Sequence, residues 1–321
     1  MAFFRRRPRR ARSTAGHGPV DAALSPLSAA DADVVVSWAV EAFRAAGVPT
    51  AYDGAGALVA SDGRTFGLTN LAALLGRLRR SHWRRAVRRH VRTIVVAQSL
   101  VPPRTLDEIR EIVLPRLVPT GELSTEPARP PSYAPTAGPD LAVLAALDYP
   151  THVATMSADD ALEPFGGWAA VRPYAEANLR RLPPPEHRAV DADPGRPDAV
   201  VHVFASDDFH GASRLLLLDE VLATHVGVES PAHGVLFAVP HRHLLAAHVV
   251  EGTGVLRAVG LLARLARSEH ADAPGPVSPH VYYKGPDGVV ETVTRTGDEG
   301  EVVVDSTGSL GTALRAVGVF D

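Results

Sequence analysis

The chain has 321 residues, 45% apolar and 21% charged, with a formal net charge of −3. That length can bury a large core and predicts two domains, and no apolar run reaches the roughly 18 residues a bilayer span needs. The complete lack of cysteine excludes disulfides, thiolate nucleophiles and thiolate metal ligands, and it fits a cytoplasmic protein. Charge is unevenly spread: residues 1–95 carry sixteen arginines against six acids (+10), which leaves seventeen basic and thirty acidic residues (−13) in the remainder. Such asymmetry lets the two parts attract one another or lets the first part meet an anionic partner.

Residues 1–27, with six arginines, prolines and small residues, read as a disordered basic tail. The Arg-rich run that follows Met-Ala-Phe-Phe has no apolar h-region after it, so a cleaved export signal is not expected. Ser28 is placed as the N-cap of a helix running to Gly47, with Val35, Trp38, Ala39 and Ala46 on one face. Short strands near 50–52, 57–60 and 65–66 are separated by Asp53-Gly54 and Asp62-Gly63, which are hairpin signals. Helices over 71–80 and 81–98 close a small α+β domain spanning 28–99. Around this last helical stretch Arg77, Arg80, Arg84, Arg85, Arg88, Arg89 and Arg92 take about half the wheel, and Trp83, Val87, Val91 and Ile94 take much of the other half. Arg77, Arg80, Arg84, Arg88 and Arg92 are therefore the candidate surface for an anionic partner. A solvated or internally paired face is the plainer reading, and nucleic acid is the less favoured partner.

A main domain is predicted over 100–295. Thr105 and Glu108 form a capping-box pattern, and Pro115 inside the apolar run 112–118 suits only an edge strand. Residues 119–139 read as an exposed Pro-rich loop. Strands over 141–149 and 151–156 follow, then a helix over 168–182 stopped by Pro183, Pro184 and Pro185. The nearly unbroken apolar run 200–205 reads as a strand covered on both faces. Ser206-Asp207-Asp208 ends it, a helix runs to His225, Gly227 takes the left-handed C-terminal position, and 234–239 is a second buried strand. Pro240 is read as opening a helix with His241, Leu244, Leu245 and His248 on one face. A longer helix follows over 255–267, then a hairpin over 281–284 and 289–294. Residues 296–321 make a C-terminal extension with one strand and one helix. The fold class is α+β: a small helix-meander-helix domain, then a larger mixed-sheet domain with helices packed on it.

Arg214 is the most informative single residue. It falls in the same stripe as Leu215, Leu218, Val221 and Leu222, and an unpaired buried guanidinium costs roughly 3–5 kcal/mol, so it must meet an acid or an anion. In the plainer reading Asp207 or Asp208 caps the helix and the other pairs with Arg214. In the sharper one Asp207, Asp208, His210, Arg214 and His241 line a corner that takes a small ligand or anion.

The order Asn178-Leu179-Arg180-Arg181-Leu182-Pro183, then Ser206-Asp207-Asp208 before Ala212-Ser213-Arg214, then Val239-Pro240-His241 and a hairpin with Tyr282 and Tyr283 resembles the YtpQ-like family of uncharacterised bacterial proteins, over roughly 100–295 and more weakly over 30–100. The resemblance implies an α+β cytoplasmic protein and brings no established activity or catalytic residue.

Enzyme chemistry finds little support in the spacing. No two histidines lie three or four apart, so a metal site would have to be assembled from separate elements such as His202, Asp208 and His241. The only lysine is Lys284, which excludes a phosphate loop ending in Lys-Ser or Lys-Thr. No Gly-x-Ser-x-Gly elbow occurs. Whether the protein is an enzyme is left open, and no cofactor or metal is expected. The leading expectation is a cytoplasmic protein that binds another protein or assembles with itself, with Leu216 as an exposed apolar contact. The alternative is a small-ligand or anion-binding protein, or an enzyme, using the Asp208, Arg214 and His241 corner.

Overall fold

A computed structural model describes residues 18–61, 63–98, 102–122, 130–150, 152–297 and 301–320. The arginine-rich tail through His17, Asp62 of the second hairpin signal and the middle of the Pro-rich loop (123–129) lie outside these residues. The chain forms two compact units, divided between Val101 and Pro102.

In the first unit, helix α1 (Ala29–Ala45) starts where the Ser28 hydroxyl accepts a hydrogen bond from the Asp31 N–H at 3.2 Å. It ends where Gly47, at φ 79°, takes the left-handed conformation that lets the Val48 N–H reach back to the Phe43 carbonyl at 2.9 Å. Val35, Ala39 and Phe43, one turn apart, turn inward. Strands β1 (Thr50–Tyr52), β2 (Ala57–Ala60) and β3 (Thr65–Gly67) form an antiparallel meander. Helices α2 (Thr69–Gly76) and α3 (Trp83–Gln98) close the unit, with Trp83, Val87 and Val91 in its core. Leu24 and Leu27 are fully buried in the same core, so the ordered unit reaches back into the stretch read as a tail. The reason is local: Asp21 accepts hydrogen bonds from the Ala23 and Leu24 N–H groups and turns the chain inward.

The second unit begins with the short helix α4 (Leu106–Ile109) and strand β4 (Val113–Pro119). Strands β5 (Thr136–Gly138), β6 (Leu141–Tyr149) and β7 (His152–Thr155) complete a four-stranded antiparallel sheet. β4 lies on one edge of β6, and β5 and β7 share its other edge. Part of the Pro-rich loop is thus a strand rather than open coil. Helix α5 (Gly167–Arg181) packs Val171 and Ala175 against Val113, Ala145 and Leu147 of this sheet.

A six-stranded antiparallel sheet follows. It contains β8 (Glu186–Asp191), β9 (Val200–Ala205), β10 (Val235–Ala238), β11 (Leu244–Val249), β12 (Tyr282–Lys284) and β13 (Val290–Thr292), in the order β13-β12-β10-β11-β9-β8. Every ladder is antiparallel, where a mixed sheet was expected. The connection from β9 to β10 does run between two strands of the same direction, but β11 lies between them and pairs antiparallel with both. That connection is a 3-10 turn over Ala212–Leu217 and then helix α6 (Leu218–His225), not one continuous helix.

The largest correction concerns β11, which was read as a helix opened by Pro240. All six of its residues are buried. Leu245, Ala247 and Val249 face a core shared with Phe204, Phe237 and Leu117, while Leu244 and Ala246 face the opposite core against helix α7 (Val255–Asp272). A strand apolar on both faces shows no polar alternation, so a run like this mimics a buried helix.

After β14 (Thr294–Thr296) and β15 (Val302–Val304), helix α8 (Ser309–Ala316) places Leu310 and Leu314 in the α7 core. Glu291 accepts hydrogen bonds from the Ser309 and Leu310 N–H groups and so caps α8. The expected C-terminal extension is therefore part of the main core. Leu216, expected to be exposed, is half-buried against the first of the two cores.

Candidate functional site

Of the five residues singled out around Arg214, Asp208, His210, Arg214 and His241 are linked by contacts, the last through His243, and Asp207 stands outside them. Arg214 is 4% exposed. Its Nη1 and Nη2 donate to the two Asp208 carboxylate oxygens at 3.2 and 3.1 Å, and Nη2 also donates to the Pro183 carbonyl at 2.7 Å. One guanidinium thus ties together the turn after β9, the 3-10 turn and the end of α5. Asp208 also accepts from the His210 N–H at 2.8 Å, which closes the turn. Asp207 is exposed. With its charge met by a carboxylate, Arg214 serves as an internal clamp.

The neighbouring residues complete the edge strand. In β4 the odd-numbered residues turn their backbone polar groups away from β6, and side chains meet three of these groups. Asn178 donates to the Val113 carbonyl at 2.7 Å, His210 Nδ1 donates to the Pro115 carbonyl at 3.1 Å, and Ser213 accepts from the Leu117 N–H at 3.0 Å. Pro115 fits here because its missing N–H falls on the unpaired side. Buried backbone groups need partners, and Asn178, His210 and Ser213 supply them.

His241 Nε2 lies 3.5 Å from a Glu269 carboxylate oxygen. His243 Nδ1 donates to the Asp208 carbonyl at 2.7 Å, and its Nε2 accepts from Arg242 Nε at 3.1 Å. These contacts suit a neutral ring, and burial, followed by the Arg242 charge, holds its pKa down to about 4. Gly211 passes so close to the His243 backbone that a Cβ there would sit 2.5 Å from its carbonyl carbon. Asp208, His210, Arg214, His243 and His241 therefore lie in one chain of contacts. Sequence reasoning missed Arg242 and Arg116, although an arginine inside the apolar run of β4 was a readable signal.

The predicted basic surface divides. Arg80, ahead of α3, pairs with the buried Asp31 at 2.6 Å, and Arg77 ends α2; neither lies on α3. Arg84 pairs with Glu41 at 3.4 Å. Arg88 and Arg92 are exposed and form no ion pair among the described residues. They stand beside a groove of about 360 Å³ between α1 and α3, whose apolar lining includes Trp38, Ala42, Val91 and Val95. Sequence reading found the arginines but not the groove, because its other wall comes from α1, some forty residues earlier.

No family model, curated protein or solved structure matches the chain.

Among the described residues no three metal-ligating side chains come together, and the His202, Asp208 and His241 combination is not assembled. His202 instead lies 3.1 Å from His187 across the β8–β9 pair, with a pKa held down to about 4 by burial and then by His187. No helix among the described residues is long and apolar enough to cross a membrane.

Proposed function

We propose that this is a protein-binding module whose first unit docks an acidic amphipathic helix of another protein in the groove between α1 and α3. The observation that carries this reading is a largely apolar groove flanked by Arg88 and Arg92, which have no counter-ion among the described residues and lie on a helix containing no acid; Glu41, the acid in the lining, is paired with Arg84. Phosphates need cations and gain nothing from Trp38, Ala42 and Val95. A partner that presents an apolar stripe beside a row of carboxylates satisfies both parts. From Arg84 to Val96 the groove follows α3 for about 18 Å, or roughly three helical turns, and Arg88 and Arg92 are spaced to meet acids one turn apart on the incoming helix. A cytoplasmic setting is part of this proposal and draws support from the cysteine-free composition.

The test is fluorescence anisotropy with a labelled peptide of Leu, Glu and Ala patterned as an acidic amphipathic helix, against a scrambled peptide of the same composition. The patterned peptide should bind at least ten-fold tighter, and Ala42→Glu or Arg88→Glu should each remove at least ten-fold of that affinity. Equal binding of both peptides, abolished by modest salt, would reduce the surface to a charge effect and refute the proposal. A concentration-dependent dimer broken by Ala42→Glu would replace the foreign helix with a second copy of the chain and would also refute it.

A further inference from the structure

Two arginines of α3 stand outside the groove. Arg85 and Arg89 are exposed, one turn apart, and about 100° round the helix from Arg84 and Arg88. Neither is among the residues that line the groove, and neither forms an ion pair or hydrogen bond among the described residues. By themselves two such cations are a solvated edge.

A second observation comes from where the chain enters this unit. The Pro19 carbonyl accepts a hydrogen bond from the Ala29 N–H at 3.0 Å, and two residues further on Asp31 pairs with Arg80 at 2.6 Å, just ahead of α3. Pro26 lies against Gly76, where a Cβ would come within 2.5 Å of the proline Cγ. The chain therefore enters beside the N-terminal end of α3. Residues 1–17, which lie outside the described residues, contain Phe3, Phe4, six arginines between Arg5 and Arg12, and no acid. From Arg12 to Gly18 the chain can span at most about 20 Å, and Arg80 to Arg89 rises about 14 Å. The arginine run is thus within reach of the plane that Arg85 and Arg89 present.

We propose that the segment from Phe3 to Arg12 and the Arg85 and Arg89 edge of α3 together dock the first unit on an anionic phospholipid surface. The arginines meet headgroup phosphates, with about a five-fold gain in partitioning for each one held at the surface. Phe3 and Phe4 enter the boundary between headgroups and acyl chains and supply the second signal that stable attachment requires beside a polybasic segment. These two rings decide between the anionic partners. A single-stranded nucleic acid stacks its bases on rings spaced along a basic groove, but no aromatic ring lies between Arg5 and Arg12, and Trp83 of α3 is buried. Duplex phosphates gain nothing from Phe3 and Phe4. Docking of this kind needs no spanning helix. It uses a surface separate from the groove, so either proposal can fail alone.

Flotation of the full chain with lipid vesicles at about 0.15 M salt tests this. Vesicles of phosphatidylcholine with about one-third phosphatidylglycerol should bind it at least a hundred-fold more tightly than phosphatidylcholine alone. Phe3→Ser combined with Phe4→Ser should weaken that binding at least ten-fold and leave retention on random-sequence duplex DNA unchanged. Arg85→Gln combined with Arg89→Gln should weaken it at least five-fold with an unchanged melting temperature, since both side chains are exposed and make no ion pair among the described residues. Absence of binding to the anionic vesicles, binding indifferent to the loss of both phenylalanines, or binding indifferent to the loss of Arg85 and Arg89 overturns the proposal. Tighter binding per phosphate to duplex DNA than to the vesicles also overturns it and assigns the surface to nucleic acid.

Discussion

Replacing Arg214 with methionine is the sharpest perturbation of the fold. Methionine fills similar volume but removes two hydrogen bonds to Asp208 and one to the Pro183 carbonyl. Breaking a buried pair by deleting one partner costs roughly 3–5 kcal/mol. Asp208 keeps its bond from the His210 N–H, and 21% of its side chain is exposed, so the lower end applies, about 3 kcal/mol. At about 2–4 °C per kcal/mol for a domain of this size, the melting temperature should fall by about 6–12 °C. Urea titration and a thermal scan measure this, and the double variant with Asp208→Asn should recover about 2 kcal/mol of the summed single losses. A loss below about 1 kcal/mol, or strict additivity, would refute the clamp.

Asn178→Leu should cost about 2 kcal/mol in urea titration, because the Val113 and Arg110 carbonyls each lose a donor. Acidification should also destabilise the second unit. His202 and His243 have folded pKa values of about 4 against roughly 6.5 unfolded, so between these values the unfolded chain binds more protons. Stability is then complete above about pH 6.5 and is lost as pH falls towards 4, by up to about 2 kcal/mol at about pH 5 for His243 and less for the more accessible His202. Urea midpoints across this range check it, and an unchanged midpoint would contradict the partial withdrawal of both rings from water. Arg88→Glu and Arg92→Glu, at exposed positions without ion pairs among the described residues, should leave stability within about 0.5 kcal/mol, so any binding loss they cause cannot be ascribed to unfolding.

The legible parts of the fold were those carried by local chemistry. Ser28 announced a cap, Pro115 announced an edge strand, and Arg214 among leucines announced an inward charge with Asp208 beside it. What stayed hidden depends on contacts distant in sequence. β11 looked helical because both its faces are covered, which erases period-two alternation. The 3-10 turn carries Arg214, whose bond to the Pro183 carbonyl spans thirty-one residues. The groove needs α1 laid against α3, and no one-dimensional pattern shows that.

Methyl-labelled valine spectroscopy of the full chain, titrated with the patterned acidic peptide, tests the proposed docking most directly. The account predicts that the Val91 and Val95 methyl signals shift progressively, that the buried Val201 and Val203 signals stay in place, and that Ala42→Glu abolishes the response. Unmoved Val91 and Val95 signals in the presence of bound peptide would contradict it.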